Sequence, residues 1–135
     1  MVRKICVLID DDADDRALFV SAMIDVAGDF DVIVFENAQE AIRRIRDREI
    51  IPDVIFLDLN MPGINGYQLL VYLKGQIRYN RIPVIVYATT ADALEKTRTR
   101  KMGAAGFFQK PAAYSELSLK LTEMFADVRV LNAAQ

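Results

Sequence analysis

The stretch VIFLDLNMPG, residues 54–63, sets the problem that the rest of the chain must solve. Val54 to Leu57 form an unbroken apolar run, the pattern of a strand buried on both faces. Asp58 ends that run just before Met61-Pro62-Gly63 signals a turn. A charge placed at the end of a buried strand is costly unless it is solvated or paired. Taken alone, Asp58 reads equally well as a turn former or as a functional carboxylate.

Outward from this run, the same grammar repeats. Short apolar runs rich in β-branched residues occur at Ile5 to Ile9, Asp31 to Phe35, Val84 to Tyr87 and Gly106 to Gln109, and longer amphipathic segments separate them. In the first of these segments, Leu18, Phe19, Ala22, Met23 and Val26 recur at helical spacing, with Gly28 as a natural C-terminal cap. Asn37, with Glu40 three residues on, opens a second helix that carries Ala41, Ile42 and Ile45 inward and cannot pass Pro52. A third starts near Gly66 and carries Leu69, Leu70, Leu73 and Ile77, and Pro83 opens the next strand. The fourth, about Asp92 to Met102, has a poor apolar face anchored by Leu94 and Met102, so loose attachment is expected. The fifth runs from about Ser115 to Val128, with Leu117, Leu121, Met124 and Phe125 inward and a frayed tail beyond. Alternating strands and helices predict an α/β fold: a doubly wound, five-stranded parallel sheet flanked by five helices.

Such a sheet collects functional groups beyond the carboxyl ends of its strands, near the point where strand order reverses. Asp10 and Asp11 follow the first strand, Asp58 ends the third, and Lys110 follows the fifth. Each has an ordinary reading. Acids ahead of a helix cap its amides and favour its dipole, which accounts for Asp12, Asp14 and Asp15 but less well for Asp10 and Asp11. Lys110 alone reads as a solvated lysine. Four such residues at one edge of one sheet make a stronger case together. Three carboxylates drawn close repel one another, and Lys110 returns a single positive charge. A divalent cation would restore the balance, and oxygen-only ligands with room for water suit Mg²⁺ better than a full calcium cage.

Composition closes other routes. With 135 residues and 53% hydrophobic content, the chain has the size of one domain and can bury one sizeable core. Seventeen basic and nineteen acidic residues leave a net charge near −2, with no overall basic field to draw nucleic acid or anionic lipid. The sequence contains no histidine, which removes histidine ligands and general bases. One cysteine, Cys6, lies in an apolar run and permits no internal disulfide, the usage of a reducing compartment. The first apolar stretch is too short for a signal peptide or a membrane span, so a cytoplasmic location is expected.

At this point the chain resembles the receiver domain of two-component response regulators, from about Lys4 to Val128. The motifs that carry the resemblance are VLIDDDADDR, PDVIFLDLNMPGINGYQLL, IPVIVYATT and GAAGFFQKP. The resemblance implies a flavodoxin-like sheet of order 2-1-3-4-5 and a phosphoryl group accepted on Asp58 from a histidine kinase or histidine phosphotransfer protein. It implies Mg²⁺ held by Asp10, Asp11, Asp58 and the backbone carbonyl of Asn60, and Lys110 against the phosphoryl oxygens. The bond before Pro111 is often cis in that family. Two positions depart from the pattern. The switch hydroxyl, five residues after the proline that opens strand four, falls on Ala88; the neighbouring Thr89 would face the other way along a strand unless a turn redirects it. The switch aromatic falls on Phe107, which cannot hydrogen-bond.

A single stand-alone receiver over 1–135 is therefore expected, relaying a signal to an unknown output protein through the fourth helix, fifth strand and fifth helix. It would be no enzyme beyond promoting its own phosphorylation and dephosphorylation. Two rival readings remain. A receiver-like module that binds partners without phosphorylation draws on Ala88. A haloacid-dehalogenase-like phosphatase would need a second acid two residues after Asp58, where Asn60 stands.

Overall fold

A computed structural model describes residues 3–61, 63, 65–90 and 92–133, with side chains to position 127. Five strands and five helices alternate: β1 Lys4–Ile9, α1 Ala13–Val26, β2 Phe30–Phe35, α2 Ala38–Arg46, β3 Val54–Leu57, α3 Gly66–Lys74, β4 Val84–Ala88, α4 Ala93–Lys101, β5 Gly106–Gln109 and α5 Tyr114–Ala133. All strands are parallel, in the order β2-β1-β3-β4-β5. The chain steps one way from β1 to β2 and the other way from β1 to β3, which makes the β1/β3 boundary the switch point. Register there pairs Ile9 with Leu57.

The continuous apolar runs are explained by burial on both faces. On one face Cys6, Leu8, Val54, Phe56, Ile85, Tyr87 and Phe108 meet α1 and α5 through Phe19, Met23, Leu121 and Phe125. On the other, Val7, Ile9, Ile55, Leu57, Val84 and Val86 meet α2 and α3 through Ala41, Ile45, Leu69, Leu70 and Leu73. Phe56 centres the first face: its ring stands 4.9 Å from Phe19 edge-on, 5.8 Å from Phe125 in a stack and 6.1 Å from Tyr87 edge-on.

Helix starts follow their caps. Asp12, Asn37, Asn65 and Asp92 each accept a backbone N–H from the first turn of α1, α2, α3 and α4, and Asn65 forms a full capping box with Gln68. Several expectations require correction. α1 ends on Ala27, whose N–H reaches the Met23 carbonyl, so Gly28 is not the cap. α2 does end before Pro52, as expected, stopping at Arg46 with the chain turning through Arg48 at φ 57°. Leu18, Ile77 and Leu94 are exposed, Ile77 lying beyond the end of α3. α4 is held instead by the buried Thr99 and the half-buried Met102. α5 runs to Ala133 and does not fray at Val128. The Met61-Pro62-Gly63 turn includes Pro62, which lies outside the described residues, as do the last two residues of the expected tail. Among the described residues no peptide bond is cis, so the bond before Pro111 is trans.

Candidate functional site

Backbone hydrogen bonds of the sheet reach one residue past three strand ends and fix the residues found there. The Asp10 N–H donates to the Phe35 carbonyl at 3.0 Å, the Asp58 N–H to Ile9 at 3.0 Å, and the Lys110 N–H to Ala88 at 2.7 Å. Asp10 and Asp58 are thus neighbours across the switch point, and Lys110 reaches them from beyond β4. Oxygen atoms of Asp10, Asp11 and Asp58 lie within 4.8 Å of one another. Asp10 is wholly buried, Asp58 nearly so, and Asp11 exposed.

The two buried carboxylates are partly committed. Asp10 Oδ1 accepts the Asp12 N–H at 2.9 Å, and Asp58 Oδ1 accepts the Asn60 N–H at 3.0 Å. The remaining oxygens face Lys110, whose ammonium stands 2.7 Å from Asp10 Oδ2, 2.8 Å from Asp15 Oδ2 and 3.6 Å from Asp58 Oδ2. Burial pushes the Asp58 carboxyl up to about 6; the Asn60 N–H and Lys110 pull it down, and Asp10 and Asp11 add repulsion. Burial works against the charge on Lys110, but its bonds to Asp10 and Asp15 outweigh that and hold it protonated well above the usual lysine range.

The donor set fits a hard divalent cation. It is made of oxygen alone, and the buried Asp10 Oδ2 has the Lys110 ammonium beside it at 2.7 Å. A cation among these three carboxylates would relieve the repulsion that one ammonium only partly offsets.

The remaining sequence-derived positions are spread around this centre. Ala88 ends β4 and is buried against the α2/α3 face. Thr89 follows it, exposed, with its carbonyl accepting from Gln109 Nε2 at 3.3 Å. β4 thus includes Ala88, and Thr89 is the first residue beyond its end. Phe107 is half-buried on β5 under the Lys96 ammonium, 5.7 Å from its ring centre.

Two residues of the centre escaped the sequence reading. Asp15, assigned to helix capping, bonds Lys110 instead; its signal was only that one acid in that first turn was more than a cap required. Gly66, read as a helix start, is packed so tightly on Asp58 and Leu59 that a β-carbon would overlap their backbone.

Residues 6–122 match the family model of the response regulator receiver domain. The chain belongs to that family. Among the receiver's relatives is the protein PilH of Pseudomonas aeruginosa, 30% identical over 105 residues that span 78% of this chain and 84% of PilH. Other relatives are longer, and the receiver spans 51% of one and 34% of another. Among solved structures, the phosphorylated cyanobacterial phytochrome response regulator RcpA superposes with a TM-score of 0.83 at 24% identity, covering 91% of each chain. The Mn²⁺-bound form of the response regulator Rcp1 gives 0.79 at 21% identity, covering 90% of this receiver and 91% of that chain. Both likenesses concern the fold.

Proposed function

We propose that this receiver accepts a phosphoryl group on Asp58 and relays its presence to a partner protein. One observation carries the reading: a nearly buried carboxylate at the switch point shares its site with two further acids and a lysine ammonium, and is accessible enough to react. Membership of the receiver family supports a phosphorylated histidine of a kinase or phosphotransfer protein as the donor class, and that histidine is not on this chain, which has none. In the transfer, an Asp58 oxygen supplies the electron pair of a new O–P bond. The P–N bond of the donor breaks, and its pair stays on the imidazole nitrogen.

Asp10, Asp11, Asp58 and the Asn60 carbonyl would hold Mg²⁺, which supplies charge neutralisation for the phosphoryl oxygens when bound. The Mn²⁺ in Rcp1 supports a divalent cation here. Lys110 supplies the second positive charge, and Tyr87, whose ring centre is 5.1 Å from the ammonium, walls that side of the site. Beyond its own phosphorylation and dephosphorylation the receiver would catalyse nothing.

Intact mass after incubation with acetyl phosphate tests this, with and without Mg²⁺, beside Asp58→Asn. A Mg²⁺-dependent gain of one phosphoryl group in wild type alone is expected. Equal labelling of Asp58→Asn would overturn the acceptor assignment.

One observation favours a second reading, a receiver that binds its partner in either state. Ala88 offers no hydroxyl and Thr89 is exposed beyond the strand, so the link from phosphoryl group to surface lacks its usual carrier. Amide NMR spectra of phosphorylated and free protein that differ only around Asp58 would favour it; changes reaching α4 and β5 would exclude it.

A further inference from the structure

Lys110 is held by two carboxylates, and only one of them belongs to the group gathered around Asp58. Its ammonium is 2.7 Å from Asp10 and 2.8 Å from Asp15, but 3.6 Å from Asp58. Asp10, Asp11 and Asp58 are the carboxylates that come within 4.8 Å of one another, and Asp15 is not one of them. An acid in the first turn of α1 is ordinarily accounted for by the helix dipole. That account covers Asp14 equally, and Asp14 is exposed, whereas Asp15 is half-buried and accepts a charge-assisted hydrogen bond from a lysine 95 residues away.

We propose that Asp15 is a positioning residue that holds the Lys110 ammonium off Asp58 and competes for it with a phosphoryl group. The proposal rests on the phosphoacceptor reading above. Gain from acetyl phosphate forms an Asp58 O–P bond while the donor's P–O bond breaks, its pair leaving with acetate. Loss to water forms a new O–P bond from the water oxygen, breaks the Asp58 O–P bond and returns that pair to the carboxylate, with the water's proton passing to phosphate or solvent. Asp15 keeps its charge throughout. The aspartyl phosphate carries about one more negative charge than the carboxylate it replaces, so it needs Lys110 more. As long as Asp15 retains the ammonium, that need is only partly met. Asp15 therefore disfavours the phosphorylated state and shortens it.

The size of the effect follows from one unit charge removed about 6 Å from the phosphoryl group. At an effective dielectric of roughly 40 to 80, as partial exposure requires, this amounts to about 3- to 10-fold.

Wild type, Asp15→Asn and Asp14→Asn, each with Mg²⁺ and acetyl phosphate, supply the test. Asp14→Asn removes the same charge from the same helical turn without touching Lys110. Expected for Asp15→Asn is a 3- to 10-fold rise in the ratio of phosphorylated to free protein, read by intact mass, with slower decay once the donor is removed. Asp14→Asn should stay within twofold of wild type, and Asp15→Glu should return towards it. In metal-free protein, the NMR resonances of the Lys110 ε-methylene should move in Asp15→Asn and hold still in Asp14→Asn. Labelling of Asp15→Asn that equals or falls below that of Asp14→Asn overturns the proposal and leaves the acceptor reading intact. An unmoved Lys110 resonance denies the contact itself. No labelling in any of the proteins takes down the acceptor reading, and this one with it.

Discussion

Gly66 rests directly on the backbone of Asp58. Its N–H donates to the Leu59 carbonyl at 3.1 Å, and a β-carbon in its place would overlap the Asp58 carbonyl and the Leu59 α-carbon. The first turn of α3 and Asp58 are therefore fixed against each other, and because the obstacle is backbone, no side-chain rotation relieves it. Gly66→Ala is expected to destabilise the fold by about 2–3 kcal/mol. It should also shift Asp58 relative to Lys110. Urea unfolding measures the first, and labelling by acetyl phosphate the second; a variant with wild-type midpoint and labelling would show that the contact yields freely.

The titration of Asp58 gives a signed prediction for metal-free protein. Its folded value of about 6 lies above the ordinary 3.8, because burial disfavours the ionised form. The folded state thus binds the proton more tightly than the unfolded state. This group's contribution is most favourable below about pH 4 and declines as pH rises to about 6, beyond which the deficit is constant. Asp58→Asn cannot ionise and should be more stable than wild type at pH 7 by roughly 2 kcal/mol. The two should converge near pH 4, as read by denaturant titration in a chelator.

Mg²⁺ is expected to stabilise the wild type, since it would bind the gathered carboxylates of the folded state and not the unfolded chain. At a free concentration about 100 times its Kd, the gain is about 2.7 kcal/mol. Asp11→Ala, which removes an exposed ligand and leaves the buried Asp10 in place, should require far more Mg²⁺ for the same gain. Because the chain lacks tryptophan, calorimetry is the direct readout.

Phe56 joins α1, α5 and β4 through its contacts with Phe19, Phe125 and Tyr87. Phe56→Ala is expected to cost about 3–5 kcal/mol, among the largest single-residue losses in the chain. Thermal unfolding decides it.

The fold was legible because the central strands are buried on both faces and the apolar runs mark all five strands to within one residue of their ends. Two helix starts were legible for a different reason: Asp12 and Asn37 are good caps, and capping is local chemistry. Inward-facing residues were less secure. Leu18 and Leu94 have the right spacing but lie at the margin of a helix face, where tertiary packing and not periodicity decides exposure, and Ile77 falls past the helix that was meant to bury it. At the site, Asp10, Asp11, Asp58 and Lys110 could be placed because strand ends converge by topology. Asp15 could not, because its partner is distant in sequence and the local helix offered a sufficient account. The demand on Gly66 comes from the backbone it touches, which no spacing rule encodes.

The ladder bonds that run one residue beyond β1, β3 and β5 make the active geometry an extension of strand pairing. Were β3 to slip by a single residue against β1, Leu57 or Leu59 would take the place of Asp58, and the carboxylate would leave the centre altogether. The proposed phosphorylation would therefore be digital with respect to sheet registry: a molecule mispaired at β3 would lack its acceptor and stay silent, not weakly active.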